Sequence, residues 1–409
     1  MSSHQTEIAN PFTPSAGHMP PYLAGRDASM AEFDRYLRQE TVQTNVVITG
    51  LRGVGKTVLL DRLKPRSQQA GWAWVGSDLS EAASVSERNL ATRILADLAP
   101  VSSFLTVPVD ADPGLGFSRE PRGGQIDVPL GYSALEHVFE HTPGLVADKL
   151  KAVLELVWSS FSTTSKRGIV FAYDEAQNLA DHAQKNEFPM SLLLDVFQSI
   201  QKKGVRFMLV LTGLPTLLPK LVDVRTYSER MFHTIVLDRL SEEESRDAIL
   251  RPVKNRPITF AKDSVATIIR LSGGYPFFIQ FFCREAYDIF VQGWGKGPLP
   301  IAPLDGLIRK LDTDFFAPRW QLLTDREQDL LRQVASLDTC ADEFTIQELT
   351  GARPSDGSRP FTSSHANQLL LALCRKGAVY KTRFGKYCFA VPLFWEFVRR
   401  QARPNASPA

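Results

Sequence analysis

Three glycines and a lysine carry the chemistry most legible in this chain. Gly50-Leu51-Arg52-Gly53-Val54-Gly55-Lys56-Thr57 has the spacing G-x-x-x-x-G-K-T, in which the glycines let the backbone curl until successive N–H groups point inward at one place. Convergent donors of this kind cradle the α- and β-phosphates of a nucleotide. Lys56 then reaches the β/γ-phosphates, and the Thr57 hydroxyl takes a position on Mg²⁺. The loop from Gly50 to Val58 is expected to bind ATP with Mg²⁺.

A second constellation lies far along the chain. Ile169-Val170-Phe171-Ala172-Tyr173 is a continuous apolar run that ends in two adjacent carboxylates, Asp174 and Glu175. Successive residues at a strand end leave it in different directions, so the two carboxylates can serve different tasks. Asp174 is expected to hold the metal, directly or through water, and Glu175 to orient and deprotonate an attacking water. A further apolar run, Phe207 to Leu211, ends in Thr212-Gly213. Thr212 is placed there to contact the γ-phosphate or the water, or else to cap the strand with its hydroxyl.

These residues need elements to position them. A strand at 45–49, the glycine loop, a helix from Lys56 and a strand at 72–75 read as one β-α-β unit, which implies a parallel sheet. Helices follow at 86–98, 145–161 and 190–202, with strands at 169–173, 207–211 and 234–237. Residues 100–132 are rich in Pro, Gly and Asp and contain two short strand-like pieces, which predicts a hairpin insertion. It accounts in part for the long interval between Thr57 and Asp174. From Ser241 the character changes: Ser241 and Glu244 form a capping box, and helices are expected at 261–271, 276–291 and 304–316. Phe277, Phe278, Phe281 and Phe282 read as the core of this helical part. After Pro318, helices at 325–336, 345–350 and 363–376 and strands at 378–382 and 387–391, joined by Arg383-Phe384-Gly385-Lys386, predict a winged helix-turn-helix.

The expected organisation is therefore a flexible arm over 1–20, an α/β nucleotide domain over 21–240, a helical lid over 241–318, a winged-helix domain over 319–400 and a disordered tail over 401–409. Composition agrees with a folded, water-soluble chain: 409 residues, 44% hydrophobic, 22% charged and a formal net charge of +2. With so little net charge, any nucleic-acid surface must be a local patch. No apolar run approaches the roughly 18 residues of a membrane span, and Met1 to Pro20 has no signal-peptide core, so a cytoplasmic location is expected. Cys283, Cys340, Cys374 and Cys388 show neither C-x-x-C pairing nor zinc spacing, and read as reduced thiols. His137, His141 and His182 lack metal spacing too.

Taken in order, the phosphate loop, the Asp174-Glu175 strand, the polar strand end at Thr212-Gly213, the helical lid and the winged helix resemble the AAA+ P-loop ATPases. The likeness covers about residues 20 to 400 and looks closest to the origin-recognition-like and archaeal-type branch, related to the STAND signalling ATPases. Leu23-Ala24-Gly25-Arg26-Asp27 is similar to the adenine-side motif of that branch, which implies that Tyr22, Leu23 and Arg26 border the base. Gly273-Gly274-Tyr275-Pro276-Phe277 resembles its G-x-P lid signature, which implies that Tyr275 and Pro276 flank the nucleotide. Where many members carry a lid sensor arginine, this chain presents Tyr275-Pro276, with Arg284 two turns on. The resemblance also implies an arginine before the last core strand that reaches a neighbour's γ-phosphate; Arg230 is the candidate and Arg225 the reserve.

The expected function is an ATPase whose nucleotide state repositions lid and winged helix, as a DNA-binding switch or loader of initiator type. It implies self-association through the ATP site. Ser363, Ser364, His365, Asn367 and Gln368 on the proposed recognition helix, with Arg375, Lys376, Lys381, Arg383 and Lys386, suit groove insertion and phosphate contact on double-stranded DNA. Acidic Asp325, Glu327, Asp329, Asp342, Glu343 and Glu348 offset much of that charge. The alternative is a STAND-like regulatory ATPase in signalling or defence, whose winged helix docks a protein partner.

Overall fold

The computed structural model describes residues 9–15, 17–110, 125–293, 304–352, 360–383 and 385–401. The chain divides into two compact units. One comprises Asp27–Thr49 and Leu59–Val236, the other Met1–Arg26, Gly50–Val58 and Leu237–Ala409.

The first unit is built on a parallel five-stranded sheet. Its strands are β1 (Asn45–Gly50), β2 (Trp72–Val75), β5 (Gly168–Tyr173), β6 (Phe207–Gly213) and β7 (Phe232–Leu237). Every residue of β1, β5 and β6 is buried, as expected of strands with helices on both faces. Apolar β-branched and aromatic side chains make that possible. Phe171 on β5 packs edge-on against Phe197 of the helix Pro189–Lys202 at 5.1 Å, and against Phe207 of β6 at 5.2 Å. The spatial order is β2-β5-β6-β1-β7, so β6 lies between the strand that feeds the glycine loop and the strand that ends in the two carboxylates. Register is set by Ile48 opposite Thr212 and by Tyr173 opposite Leu211. Gly76 follows β2 where a side chain could not fit, since a Cβ there would stand 1.8 Å from the Ala172 carbonyl oxygen.

The expected insertion contains an antiparallel hairpin, β3 (Thr106–Asp110) with β4 (Gln125–Pro129); residues 111–124 lie outside the described residues. Two helices not anticipated from sequence, Tyr132–His141 and Leu217–Val224, complete this unit.

In the second unit the helices Glu242–Leu250, Lys262–Ser272, Pro276–Gly293 and Leu304–Leu311 are followed by a π-helical turn, Asp312–Phe316. The capping box at the first of these forms as expected: Glu244 N donates to Ser241 Oγ at 3.2 Å, and Ser241 N to the Glu244 carboxylate at 2.8 Å. Beyond it come the helices Asp325–Ala335, Ile346–Gly351 and Ser363–Arg375 and an antiparallel sheet of β8 (Phe344–Thr345), β9 (Val379–Arg383) and β10 (Lys386–Phe389) in the order β8-β10-β9. The two-residue β8 is too short to show in the sequence pattern. Phe384, in the expected wing turn, lies outside the described residues.

The expected boundary at residue 318 does not separate two cores. One hydrophobic cluster runs from Ile268 and Phe278 through Phe316 and Trp320 to Phe394 and Phe397, with Phe316 5.7 Å from Phe394 and Trp320 6.0 Å from Phe397. Nor is the N-terminal arm loose over the residues described. Phe12 is 2% exposed and packs edge-on against Phe260 and Tyr287, while Asn10 Nδ2 donates to Arg284 O at 2.9 Å and to Asp288 Oδ1 at 2.8 Å. Burying an aromatic ring of this size, with the Asn10 hydrogen bonds beside it, offsets a good part of the entropy of ordering the segment.

Candidate nucleotide site

The glycine loop has the backbone its sequence calls for. Gly53 and Gly55 adopt φ of 79° and 91°, a region side-chain-bearing residues rarely enter. A Cβ on Gly55 would have no atom within 4 Å, so this part of the loop is open to a ligand. Lys56 is 8% exposed, and its ammonium donates to the carbonyls of Gly50 and Leu51 at 3.0 and 2.9 Å. The charge is thereby held over the loop that would receive phosphate.

Residues singled out in separate stretches of sequence meet around this loop. Arg26 is 6% exposed and donates to the carbonyls of Val54 at 2.9 Å and Asp238 at 2.8 Å. Burial lowers its pKa, against the opposing pull of Glu244 and Asp238. Its guanidinium thus braces main chain on two sides. Gly53 O accepts a hydrogen bond from Phe277 N at 3.1 Å, which joins the loop to the first turn of the helix that begins at Pro276. Gly274 O accepts from Leu240 N at 2.8 Å, fixing the turn that presents Tyr275. Tyr275 is partly buried, and burial is the main cause that raises its phenol pKa. Tyr22 lies under the Arg251 guanidinium at 4.5 Å, and Leu23 beside it is half-buried. Gly17, in the segment expected to be loose, comes close to the loop: a Cβ on it would be 3.6 Å from the Thr57 methyl.

The sheet edge where β1, β5 and β6 end carries the other chemistry. Asp174 is 4% exposed, and its main chain is pinned to the end of β2, with Asp174 N donating to Ser77 O at 3.2 Å and Leu79 N to Asp174 O at 2.9 Å. Glu175 is exposed and left-handed, with φ of 51°. A glutamate held in that conformation stores strain. Thr212, one step past the Tyr173–Leu211 pairing, is fully buried, and its hydroxyl has no hydrogen-bond partner among the described residues. A buried hydroxyl left unpaired is costly unless a ligand or water completes it. Metal, phosphate oxygen and water are the partners that the residue types at this edge suit.

Gln177 was not anticipated as functional. Its Nε2 donates to the Glu175 carboxylate and its Oε1 accepts from Leu214 N at 3.0 Å, so it ties the exposed carboxylate to the chain just beyond Thr212-Gly213. Its one sequence signal is its place two residues after Glu175. Lys220 supports it by donating to Gln177 O at 2.7 Å.

The two arginine candidates near β7 separate cleanly. Arg225 donates to both oxygens of Asp195, at 3.0 and 2.8 Å, and Tyr227 Oη donates to the same carboxylate at 2.5 Å. Arg230 is exposed, makes no ion pair among the described residues, and lines a pocket of about 540 Å³ with Thr41, Gln43, Gln198 and Lys202.

On the C-terminal part, Ser363, Ser364, His365, Asn367, Gln368 and Arg375 are exposed on one helix. Two of the cations expected to reach phosphate are engaged elsewhere: Lys376 Nζ lies 2.7 Å from Glu327, and Lys386 Nζ 3.3 Å from Glu343. Of the side chain of Arg383 nothing is described.

A glycine loop after a central strand, a carboxylate pair ending another strand and a polar strand between them give this chain the parallel-sheet fold of a P-loop nucleotide-binding protein. Solved structures bear this out for the fold. The chain is similar to a Walker-type ATPase of Pyrococcus abyssi, with a TM-score of 0.55 at 14% identity over 92% of this chain and 96% of that one. It is similar also to the Aeropyrum pernix ORC2 protein in its ADPNP–ADP complexes, with a TM-score of 0.53 at 14% identity over 95% and 96% of the two chains. No protein-family model and no curated protein matches. Among the described residues no helix is long and apolar enough to cross a membrane.

Proposed function

We propose that this chain binds and hydrolyses ATP and passes its nucleotide state to the C-terminal helices. The observation that carries the reading is the hydrogen bond from Phe277 N to Gly53 O. It joins the phosphate loop to a helix whose core is continuous with the C-terminal sheet and helices. A loop that reshapes around phosphate must move that helix or lose the bond.

In this reading the loop amides and Lys56 hold the phosphates, and Thr57 and Asp174 supply oxygens to Mg²⁺. The metal contributes charge neutralisation at the phosphates. Glu175 takes a proton from the attacking water, and Thr212 donates to a phosphate oxygen or to that water. Arg230, which makes no ion pair among the described residues, is the residue to act on a second copy's nucleotide; Arg225 is committed to Asp195. The C-terminal part acts as a winged helix on double-stranded DNA, through the exposed polar face of Ser363–Arg375.

Titration of the full chain with Mg-ATP, alongside Lys56→Ala, tests the first half: the wild type binds and the variant does not. Equal binding by both would remove the loop from the mechanism. The second half is read from binding of a labelled duplex to Glu175→Gln with ATP, with ADP and without nucleotide, across a salt series. ATP-dependent affinity is expected, with a log–log salt slope of about −0.9 per phosphate contacted. The pairing of Lys376 and Lys386 with Glu327 and Glu343 favours a second reading in which this surface docks a protein. Absence of duplex binding in every state at low salt would select it.

A further inference from the structure

The edge of the parallel sheet at which its strands begin carries a row of positive charge. Arg167 stands immediately before β5 and Arg206 immediately before β6. Their main chains run side by side: Ile169 N donates to Arg206 O at 3.0 Å, and a Cβ on Gly168 would stand 2.3 Å from that same oxygen. Toward β2, the Arg167 guanidinium donates to Arg38 O at 3.3 Å, and Leu37 O accepts from the Trp72 indole at 2.9 Å where β2 starts. Toward β1 and β7, Lys202 and Arg230 line the pocket of about 540 Å³ beside Thr41 and Gln43. Lys166, next to Arg167, is exposed, as are Arg38, Lys202 and Arg230.

None of Arg38, Lys166, Arg167, Lys202, Arg206 and Arg230 has a carboxylate partner among the described residues. The acids beside them offset little of this charge, since Glu155 is taken by Lys203 and the exposed Glu40 and Glu229 are outnumbered. A helix C-terminus favours a cation, which accounts for Lys202 in the last turn of Pro189–Lys202. Arg167 and Arg206 lead into strands and have no such reason to be basic. Across the five strands the charges spread over four intervals of about 4.8 Å, roughly 19 Å in all. A small anion meets one or two of them, whereas a linear polyanion meets the row. Phosphates on one strand of a duplex lie about 3.4 Å apart along the axis, so the row matches about five to six base pairs. Guanidinium forks suit phosphate oxygens in particular. Stacking on unpaired bases needs free aromatic rings, and those beside the row are engaged: Tyr36 packs on His233 at 5.1 Å, and Tyr227 donates to Asp195.

We propose that this row binds the phosphate backbone of a nucleic-acid duplex without reading its sequence, through residues other than those of the helix Ser363–Arg375. The inference does not depend on the loop binding a nucleotide. It gives a chain of net charge +2 the local basic patch that contact with a polyanion requires. It also supplies free cations, where Lys376 and Lys386 of the C-terminal part are held by Glu327 and Glu343.

Fluorescence anisotropy of the full chain with labelled DNA and RNA duplexes of unrelated sequence tests this, without nucleotide and across a salt series. The variants are Lys202→Ala, the double Arg167→Ala/Arg206→Ala, the charge-keeping double Arg167→Lys/Arg206→Lys, and Arg375→Ala as the control on the C-terminal helix. Each cation removed should reduce the log–log salt slope by about 1 and weaken all sequences by a similar factor. The slope therefore falls by about 1 for Lys202→Ala and by about 2 for the alanine double, and it stays at the wild-type value for the lysine double. These changes with either duplex support the proposal, and the tighter duplex names the source of the backbone. A slope lowered by Arg375→Ala but by neither Lys202→Ala nor the alanine double would place all duplex contact on the C-terminal helix and overturn it. Absence of duplex binding by the wild type at low salt would overturn it too, and capture of a poly-glutamate peptide instead would mark the row as a protein surface. If the alanine double fails to fold, Lys202→Ala and Lys166→Ala, both at exposed side chains, decide.

Discussion

Asp174 and Glu175 are adjacent in the chain yet stand in opposite environments, joined by a hydrogen bond from Glu175 N to Asp174 Oδ1 at 2.8 Å. Asp174 is buried and continues the strand; Glu175 turns into a left-handed backbone and faces outward. A buried carboxylate with fixed main chain suits a metal ligand, whereas an exposed one held by Gln177 suits proton transfer to a mobile water.

Glu175→Gln keeps the shape and removes the base. Phosphate release should fall about 10²- to 10⁴-fold, the usual worth of a general base, while ATP affinity stays within a few-fold. Steady-state phosphate release and direct ATP binding measure the two. Normal turnover would refute the assignment.

Thr212→Val separates function from stability. The wild-type hydroxyl is buried without a partner among the described residues, so replacing it by a methyl of equal size should leave urea stability unchanged or raise it by about 1 kcal/mol. Turnover should nevertheless drop about tenfold or more if the hydroxyl serves the reaction. A loss of stability with full turnover would show that Thr212 is structural.

Arg26→Ala withdraws donors from two carbonyls, those of Val54 and Asp238. A cost of about 2–4 kcal/mol is expected in denaturant unfolding, together with weaker ATP binding because Val54 belongs to the phosphate loop. Unchanged ATP affinity in a destabilised variant would confine Arg26 to the fold.

Arg225→Ala and Arg230→Ala should behave differently. Hydrogen bonding from Arg225 holds the Asp195 carboxyl below its ordinary range. A depressed folded-state pKa stabilises the protein above the unfolded value and loses that effect as pH falls through the folded one. The stability gap between wild type and Arg225→Ala should therefore be present at neutral pH, about 1 kcal/mol or less for so exposed a pair, and close below about pH 4. Arg230→Ala should leave stability unchanged and flatten any rise of turnover per chain with protein concentration. A wild type whose turnover does not depend on concentration would remove the reason to invoke it.

The amino-acid sequence by itself determined what depends on neighbours in the chain. Glycine spacing makes the loop between β1 and Lys56, an apolar run ended by Asp174-Glu175 makes a buried strand with an acidic tip, and Ser241 with Glu244 starts a helix. Each follows from backbone sterics or hydrogen bonding within a few residues. Only the tertiary structure decided which distant segments meet. It inserted β6, with Thr212, between β1 and β5. It seated Phe12 in the core beside Phe260 and Tyr287, and among the described residues it paired Arg225 with Asp195 and gave Arg230 no ion pair. Strand order and side-chain pairing are won by packing between segments tens to hundreds of residues apart, and no local pattern encodes that competition.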